Sequence, residues 1–361
     1  MKTAFFRTDA SSLIGTGHVM RCLTLADSLR EHGVDSIFVC RRLSGHLGEY
    51  IRTKGYSVEW IESKNDEFRP EEDAISTKAI LEKAAQPVDW LIVDHYGIDR
   101  MWEAKVGPLA GRLLVIDDLA NRPHKCDILV DQNAYDRMET RYVELVPPGC
   151  VQLLGPRFLL LRPTFYEARR SLRMRDGIVK RLLVFFGGSD PTNETAKALR
   201  ALAQWPGGAP PFHTEVVVGS SNPFRQEIAS LCARIPHTML HVQAENMAEL
   251  ISQADYALGA GGVAMWERCY LGLPSAVTVV ADNQAASVRY AAQQGAVTFT
   301  GNGADSNETV YAEAISRALE SPQALTEMTH KAFNLTASDP LRMESPIIAT
   351  MMQMMNEDTT S

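Results

Sequence analysis

The 361-residue chain contains no run of about 18 or more apolar residues, so we expect no transmembrane helix. Residues 1–9 carry charges where a signal peptide needs an apolar core, which predicts a cytoplasmic protein. Basic residues are not in excess, since the net charge is -8 and the pI is near 5.7. Phosphate-backbone affinity comes from clustered lysine and arginine. We therefore expect neither a membrane nor a nucleic acid as partner.

Several chemical signatures are also missing. The six cysteines form no C-x-x-C pair and lie mostly in apolar segments, which predicts buried free thiols. There is no G-x-S-x-G elbow, no G-x-x-x-x-G-K-[ST] loop and no G-x-G-x-x-G fingerprint, which disfavours NAD and FAD. Acids and histidines between residues 94 and 127 lack a closed set of four metal ligands. We expect no cofactor and no metal.

The chain does contain two successive alternations of short apolar strands and helical patterns. Nearly all-apolar strands separated by helices predict parallel sheets buried on both faces, and the length suits two domains. A basic stretch at residues 169–175 separates the halves. The predicted division is 1–168, 169–340 and a C-terminal helix within 341–361 that could pack back on the first domain.

A glycine-flanked histidine opens the first helix. In the segment 15–21 (GTGHVMR), Gly15 and Gly17 allow close approach of a substrate, and Arg21 falls on the same helix face as His18. A helix N-terminus disfavours imidazolium, so we expect a neutral His18 that accepts a proton. Asp9 could orient the second ring nitrogen. The alternative is a histidine that caps its own helix.

A second loop, GGSDPTN at 187–193, follows the first strand of the second half. The N–H groups of Gly188 and Ser189 could hold a phosphate at the start of the next helix. Asp190 followed by Pro191 also fits an N-cap with proline at the first helical position. A plain tight turn is the alternative.

A third loop, GAGG at 259–262, opens another helix in the same half. Glu267, one turn beyond Gly261 and Gly262, could accept both hydroxyls of a ribose. Simple solvation of a helix face is the alternative interpretation of this carboxylate.

Taken together, these motifs resemble the PseG family of UDP-sugar hydrolases of pseudaminic acid biosynthesis, and more distantly the MurG-like glycosyltransferases. The resemblance covers most of the chain. It rests on RTD at 7–9, IGTGHVMRCL at 14–23, VIDDLANR at 115–122 with His124 and Cys126-Asp127, DQN at 131–133, LGP at 154–156, LLR at 160–162, GGSD at 187–190, GAGG at 259–262, WERC at 266–269, LGLP at 271–274 and NQ at 283–284. Phe158 stands where the family usually has tyrosine, so no hydroxyl role is assigned there.

The resemblance implies a GT-B fold, with two Rossmann-like domains facing a cleft. It implies hydrolysis of a UDP-linked 2,4-diacetamido-2,4,6-trideoxy-altrose with inversion and without metal. His18 would be the general base, Tyr96 and Asn283 would contact sugar or water, and the glycine loops and Arg21 would stabilise the diphosphate. The full set of expected substrate contacts is Asp9, Gly15, Gly17, Arg21, Gly188, Ser189, Asn193, Gly261, Gly262, Glu267 and Gln284.

Two rival functions remain open at this point. One is a MurG-like UDP-sugar glycosyltransferase, which would need a sugar or lipid acceptor. The other is a non-catalytic UDP-sugar-binding module, which would leave His18 without a chemical role.

Overall fold

The computed structural model describes residues 2–11, 13–63, 66–337 and 339–357. The strands are β1 (Lys2–Thr8), β2 (Val34–Arg41), β3 (Ser57–Ile61), β4 (Val88–Asp94), β5 (Ala110–Ile116), β6 (Ile128–Asp131), β7 (Val151–Leu154), β8 (Arg181–Phe185), β9 (His213–Val218), β10 (Thr238–Val242), β11 (Tyr256–Ala260), β12 (Ser275–Val279) and β13 (Thr298–Asn302). The α-helices are α1 (Gly17–Glu31), α2 (Gly48–Thr53), α3 (Pro70–Leu81), α4 (Arg100–Val106), α5 (Pro163–Arg170), α6 (Glu194–Ala203), α7 (Arg225–Cys232), α8 (Met247–Gln253), α9 (Val263–Tyr270), α10 (Ala285–Gln293), α11 (Glu308–Glu320), α12 (Pro322–Thr336) and α13 (Pro346–Glu357).

The chain divides into two compact units. The first comprises Met1–Asn133, Arg137–Leu161 and Glu344–Ser361, and the second comprises Ala134–Asp136 and Arg162–Met343. The main crossing from one unit to the other thus falls between Leu161 and Arg162, ahead of the predicted boundary after residue 168. Of the described helices, none is both long and apolar enough to cross a membrane.

The first unit is built on a seven-stranded parallel sheet with the order β3-β2-β1-β4-β5-β6-β7. Successive side chains of a strand point to opposite faces. In β4, Trp90 and Ile92 pack in the same core as α1, whereas Leu91 and Val93 pack with α4 on the other face. This two-sided burial explains the nearly all-apolar strands of the sequence.

The C-terminal helix α13 belongs to the first unit. Its fully or almost fully buried apolar residues, namely Ile347, Ile348, Met351 and Met355, share a core with Val19 and Leu23 of α1. The carbonyl of Met355 also accepts a hydrogen bond from Lys2 Nζ at 3.1 Å. Each such side chain contributes about 1.5–3 kcal/mol when fully buried, so α13 is part of the first core.

The second unit contains a six-stranded parallel sheet with the order β10-β9-β8-β11-β12-β13. Its core lies between the sheet and helices that include α6, α7 and α11. The predicted α/β class with two parallel sheets is confirmed.

Both sheets reverse their strand order at one point, between β1 and β4 in the first and between β8 and β11 in the second. In open α/β sheets, ligands bind outside the carboxyl ends of the strands at such a reversal. The four segments that follow these four strands are therefore the places where function is expected.

The cysteine prediction is confirmed for five residues. Cys22, Cys40, Cys126, Cys232 and Cys269 are buried free thiols. The sixth, Cys150, is half-buried.

Candidate functional site

At the reversal point of the first sheet, the segment after β1 leads into α1, and β4 ends at Asp94. His18 is the second residue of α1 and only 8% of its surface is exposed. Its Nδ1 lies 2.5 Å from Asp94 Oδ1. A nitrogen and a carboxylate oxygen at this distance share a proton, so Nδ1 carries it. Nε2 then bears the lone pair that can accept a proton.

Nε2 of His18 makes no hydrogen bond to any residue that the structure describes. The start of α1 likewise receives no side-chain cap from the described residues. The imidazole is thus anchored through Nδ1 to a neighbouring strand and does not cap its own helix.

Arg21 fixes the other side of Asp94. Its Nε lies 2.5 Å from Asp94 Oδ2, its Nη2 lies 2.6 Å from Oδ1, and its Nη1 lies 3.3 Å from Asp118 Oδ2. Burial raises the pKa of Asp94, but Arg21 and His18 outweigh it and hold that pKa below its usual value. Asp94 is therefore ionised at neutral pH and oriented towards His18.

These contacts correct the expected role of Arg21. Its guanidinium is 9% exposed and bonds to two carboxylates, which leaves its charge largely neutralised. The structure makes Arg21 a support for Asp94, and its predicted contact with a diphosphate is not supported.

Tyr96 completes the cluster around His18. The two rings meet edge to face, with centroids 4.5 Å apart. Burial, together with the negative charge of Asp118, raises the pKa of the Tyr96 hydroxyl. The hydroxyl is therefore a neutral hydrogen-bond donor beside the imidazole.

Asp9 does not have the predicted role of orienting His18. Its carboxylate is 1% exposed and is bonded to three buried side chains, Arg7 at 2.8 Å, Arg41 at 2.7 Å and His95 at 3.3 Å. Both oxygens are used within this network. Asp9 supports the end of β1, and the orienting carboxylate is Asp94.

The loop before His18 needs glycine at position 15, and there is open space beside both Gly15 and Gly17. Gly15 has φ +81°, a left-handed conformation, and its N–H donates to the Ser11 carbonyl at 2.9 Å. A Cβ on Gly15 or Gly17 would meet none of the described atoms within 4 Å. The space beside these residues is open to a ligand.

At the reversal point of the second sheet, the segment after β8 presents unused backbone donors. Gly188 and Ser189 are exposed, and within the described ranges their N–H groups meet no acceptor. The Gly188 carbonyl accepts from Gly219 N–H at 3.0 Å, which fixes the loop. Backbone N–H groups without an acceptor can donate to an anion such as phosphate.

The cap after this loop differs from the prediction. Asp190 is buried, and its carboxylate accepts from the N–H groups of Glu194 at 2.9 Å and Thr195 at 2.8 Å. It does cap α6, but that helix begins at Glu194, so Pro191 is not its first residue. Asn193 lies between them in a left-handed conformation and donates to Glu227 at 3.0 Å. The Asn193 side chain is therefore directed to Glu227, and a substrate contact by it is not supported.

The remaining predicted residues follow β11 and β12, where Gln284 lies beside Gly261 and Gly262. Gly262, with φ +72°, is the residue before α9, and a Cβ on Gly261 would lie 2.6 Å from Val288 Cγ2. Gln284 accepts from Val280 N–H at 3.2 Å. Asn283 is exposed in the short turn before α10.

Glu267 lies one turn into α9 and is half-buried, so it does not belong to a fully solvated face. Burial raises the pKa of its carboxyl, although Arg162 and Arg268 oppose the shift. Among the residues described here, the carboxylate has no hydrogen-bond or ion-pair partner. It is available to accept hydrogen bonds from a ligand.

Sequence reasoning weighed the acids between residues 94 and 127 as metal ligands and missed the link of Asp94 to His18. The signal lies in the strand order: β4 neighbours β1, so the residues after these two strands meet. The sequence does not display that order directly.

The two parallel-sheet α/β units match the GT-B fold of solved structures. MurG of Acinetobacter baumannii has a similar structure, with a TM-score of 0.67, 15% identity, and coverage of 98% of this chain and 99% of that one. No protein-family model matches the chain.

Two curated relatives share more of the sequence. An uncharacterised protein of Methanocaldococcus jannaschii is 28% identical over 283 residues, which are 77% of this chain and 55% of that protein. This chain thus spans about half the length of that relative. The UDP-2,4-diacetamido-2,4,6-trideoxy-beta-L-altropyranose hydrolase of Campylobacter jejuni is 27% identical over 257 residues, which are 69% of this chain and 81% of the hydrolase.

Proposed function

We propose that the protein is an enzyme acting on a UDP-sugar, and that it hydrolyses a UDP-linked 2,4-diacetamido-2,4,6-trideoxyhexose of the altrose type. The products are the free sugar and UDP, formed with inversion at the anomeric carbon as a step of pseudaminic acid biosynthesis. The name of the Campylobacter jejuni relative supports the substrate. The observation that carries the chemistry is the contact of 2.5 Å between His18 Nδ1 and Asp94 Oδ1.

In this mechanism His18 Nε2 takes a proton from water while the water oxygen forms a bond to the anomeric carbon. The bond between that carbon and the β-phosphate oxygen breaks, and UDP leaves with the electron pair. Attack and departure on opposite faces in a single displacement invert the centre. Asp94 stabilises the imidazolium that forms, because it remains ionised and bonded to Nδ1–H.

The second unit supplies the nucleotide contacts in this proposal. The N–H groups of Gly188 and Ser189 would receive the diphosphate, whose charge increases as the bond breaks. Glu267 would accept the two ribose hydroxyls. Tyr96, on the first unit, and Asn283, on the second, would contact the sugar or the attacking water.

The test begins with His18→Asn, which keeps a polar side chain but removes the base. We expect UDP-sugar affinity within about threefold of wild type and turnover slowed by at least ~100-fold. Calorimetry measures the first and release of UDP the second. Near-normal turnover would remove His18 as the base.

A reaction in H₂¹⁸O locates the broken bond. Attack at the anomeric carbon places the label in the sugar, whereas label in UDP contradicts the mechanism. Incubation with the UDP-sugar alone also separates hydrolysis from glycosyl transfer, since a transferase needs an acceptor. Binding without any product would indicate a non-catalytic module.

A further inference from the structure

The second unit contains a cavity of about 400 Å³ that the proposed function does not use. It lies where β11 and β13 begin, and its walls include Tyr256 and Thr298, the first residues of those strands. The opposite walls come from α11 and α12. Because the strands are parallel, this is the amino end of the sheet, whereas Gly188 and Gly262 follow carboxyl ends. The cavity is a separate place from the candidate nucleotide loops.

Tyr256 contributes a buried phenol to the lining of the cavity. The residue is 3% exposed, and its hydroxyl has no hydrogen-bond partner in the part of the chain that the structure describes. Burial raises the pKa of this phenol, so the hydroxyl keeps its proton at neutral pH. Because Tyr256 lines the cavity, its hydroxyl can donate a hydrogen bond to an acceptor oxygen of a ligand there.

Arg317 supplies positive charge at the same place. It lines the cavity, and its charge opposes the effect of burial on the pKa of Tyr256. Its partner is Glu313, which also lines the cavity, with Nη2 and Oε2 2.7 Å apart and side chains 71% and 57% exposed. Such an exposed pair is worth about 0–1 kcal/mol. A carboxylate with two oxygens can replace Glu313 on the guanidinium.

The remaining walls are mainly apolar. Phe299, Leu325 and Met328 contribute the larger side chains, and small alanines of α11 and α12 leave the space open. A volume of about 400 Å³ falls in the range of ~300–1,000 Å³ found for small-molecule sites, which combine apolar walls with few polar groups. We propose that this cavity binds a small carboxylic acid with an apolar body, its carboxylate held by Arg317 and the Tyr256 hydroxyl.

Octanoate is a suitable probe, and 1-octanol is its uncharged counterpart. Titration of the full chain, followed by ligand-observed NMR, should show saturable octanoate binding below ~10 mM and weaker binding of 1-octanol. Arg317→Gln should weaken octanoate binding by ~10-fold and Tyr256→Phe by ~5-fold. Arg225→Gln, which removes an exposed arginine of α7, should leave binding unchanged.

A fourth variant tests the location without touching a polar contact. Ala324 lies on the exposed side of the lining, so Ala324→Trp should fill the cavity and abolish binding. The proposal is overturned if wild type shows no saturable binding, if 1-octanol binds as tightly as octanoate, or if Ala324→Trp or Arg317→Gln binds octanoate like wild type.

Discussion

Replacing Asp94 by Asn tests the candidate catalytic pair of the first unit. The change keeps the shape of the side chain but removes the charge and offers an NH₂ group as well as an oxygen. If the amide nitrogen faces His18, Nδ1 must accept and the proton moves to Nε2, which can then no longer take a proton from water. The imidazolium of the transition state also loses its counter-charge.

The size of the effect follows from the contacts. A carboxylate oxygen at 2.5 Å from Nδ1 stabilises an imidazolium strongly, but Arg21, bonded to both oxygens of Asp94, offsets part of that charge. We expect a net loss of about 3–5 kcal/mol of transition-state stabilisation, which corresponds to about 10²- to 10⁴-fold in kcat. UDP affinity should not change, because the proposed nucleotide contacts lie on the second unit.

The assay must separate catalysis from stability, since Asp94→Asn also leaves Arg21 short of a buried partner. Asp73→Asn is the matched control. Asp73 is 3% exposed, lies in the same unit and is paired with Arg7, and it also accepts hydrogen bonds from Trp102 Nε1 at 2.9 Å and Thr77 Oγ1 at 3.4 Å. Both variants should lose stability in urea, but only Asp94→Asn should lose kcat. If Asp94→Asn keeps a kcat within about threefold of wild type at equal folded fraction, the assigned tautomer and role of Asp94 are wrong.

Three further changes test other parts of the molecule. Glu267→Gln should weaken UDP by about 10-fold, measured calorimetrically, but leave binding of a uracil base without ribose unchanged; equal affinity of both proteins for UDP would contradict the ribose contact. Burial raises the pKa of Asp131 to about 7, so the folded protein holds a proton that the unfolded chain has released, and stability should fall by on the order of 2 kcal/mol between pH 5 and 7. The stability of Asp131→Asn, measured by urea unfolding, should not show this fall between pH 5 and 7. If the variant has the same pH profile as wild type, the assigned protonation of Asp131 is wrong. Met351→Ala should cost about 2–5 kcal/mol in the same experiment, since Met351 is fully buried, and a cost under about 0.5 kcal/mol would show that α13 is not part of the first core.

A strand buried along its whole length could be predicted closely, since the apolar run of residues 275–279 coincides with the strand Ser275–Val279. The helical pattern that follows the GAGG loop likewise coincides with the helix Val263–Tyr270. The apolar pattern does not predict the strands Thr238–Val242 and Thr298–Asn302. They are the two edges of the second sheet, and their half-exposed residues lack the continuous apolar run that marks a central strand.

The start of a helix was less predictable where its first turn consists of charged residues and lacks the apolar repeat of a helix. The apolar pattern alone predicts a helix from about Ile75, whereas α3 begins at Pro70. Its first turn contains Glu71, Glu72 and Asp73. Acids after a proline stabilise a helix start through the dipole, which an apolar pattern does not reveal. The start of α6 was misplaced in the opposite direction, because Asp190 caps it from four residues before Glu194.

The site was predictable as far as single segments allow. His18, the glycine loops and Glu267 are visible because each stands in a distinctive local pattern. The partner of His18 was assigned to Asp9, since Asp9 is near in sequence. The structure shows Asp94 instead. At the reversal point β4 is the neighbour of β1, and the last residue of β4, Asp94, lies beside His18.

The two sheets repeat one strand order but present opposite chemistry at the reversal point. In the first unit that edge carries two carboxylates, Asp94 and Asp118, around one buried guanidinium and an imidazole. Such an edge repels a diphosphate but stabilises a transient positive charge on His18. In the second unit the same edge offers backbone N–H groups without acceptors among the described residues, and Asp190 there is directed into α6. Anion binding is therefore favoured on the second unit and proton transfer on the first, which is the division of roles that the proposed hydrolysis requires.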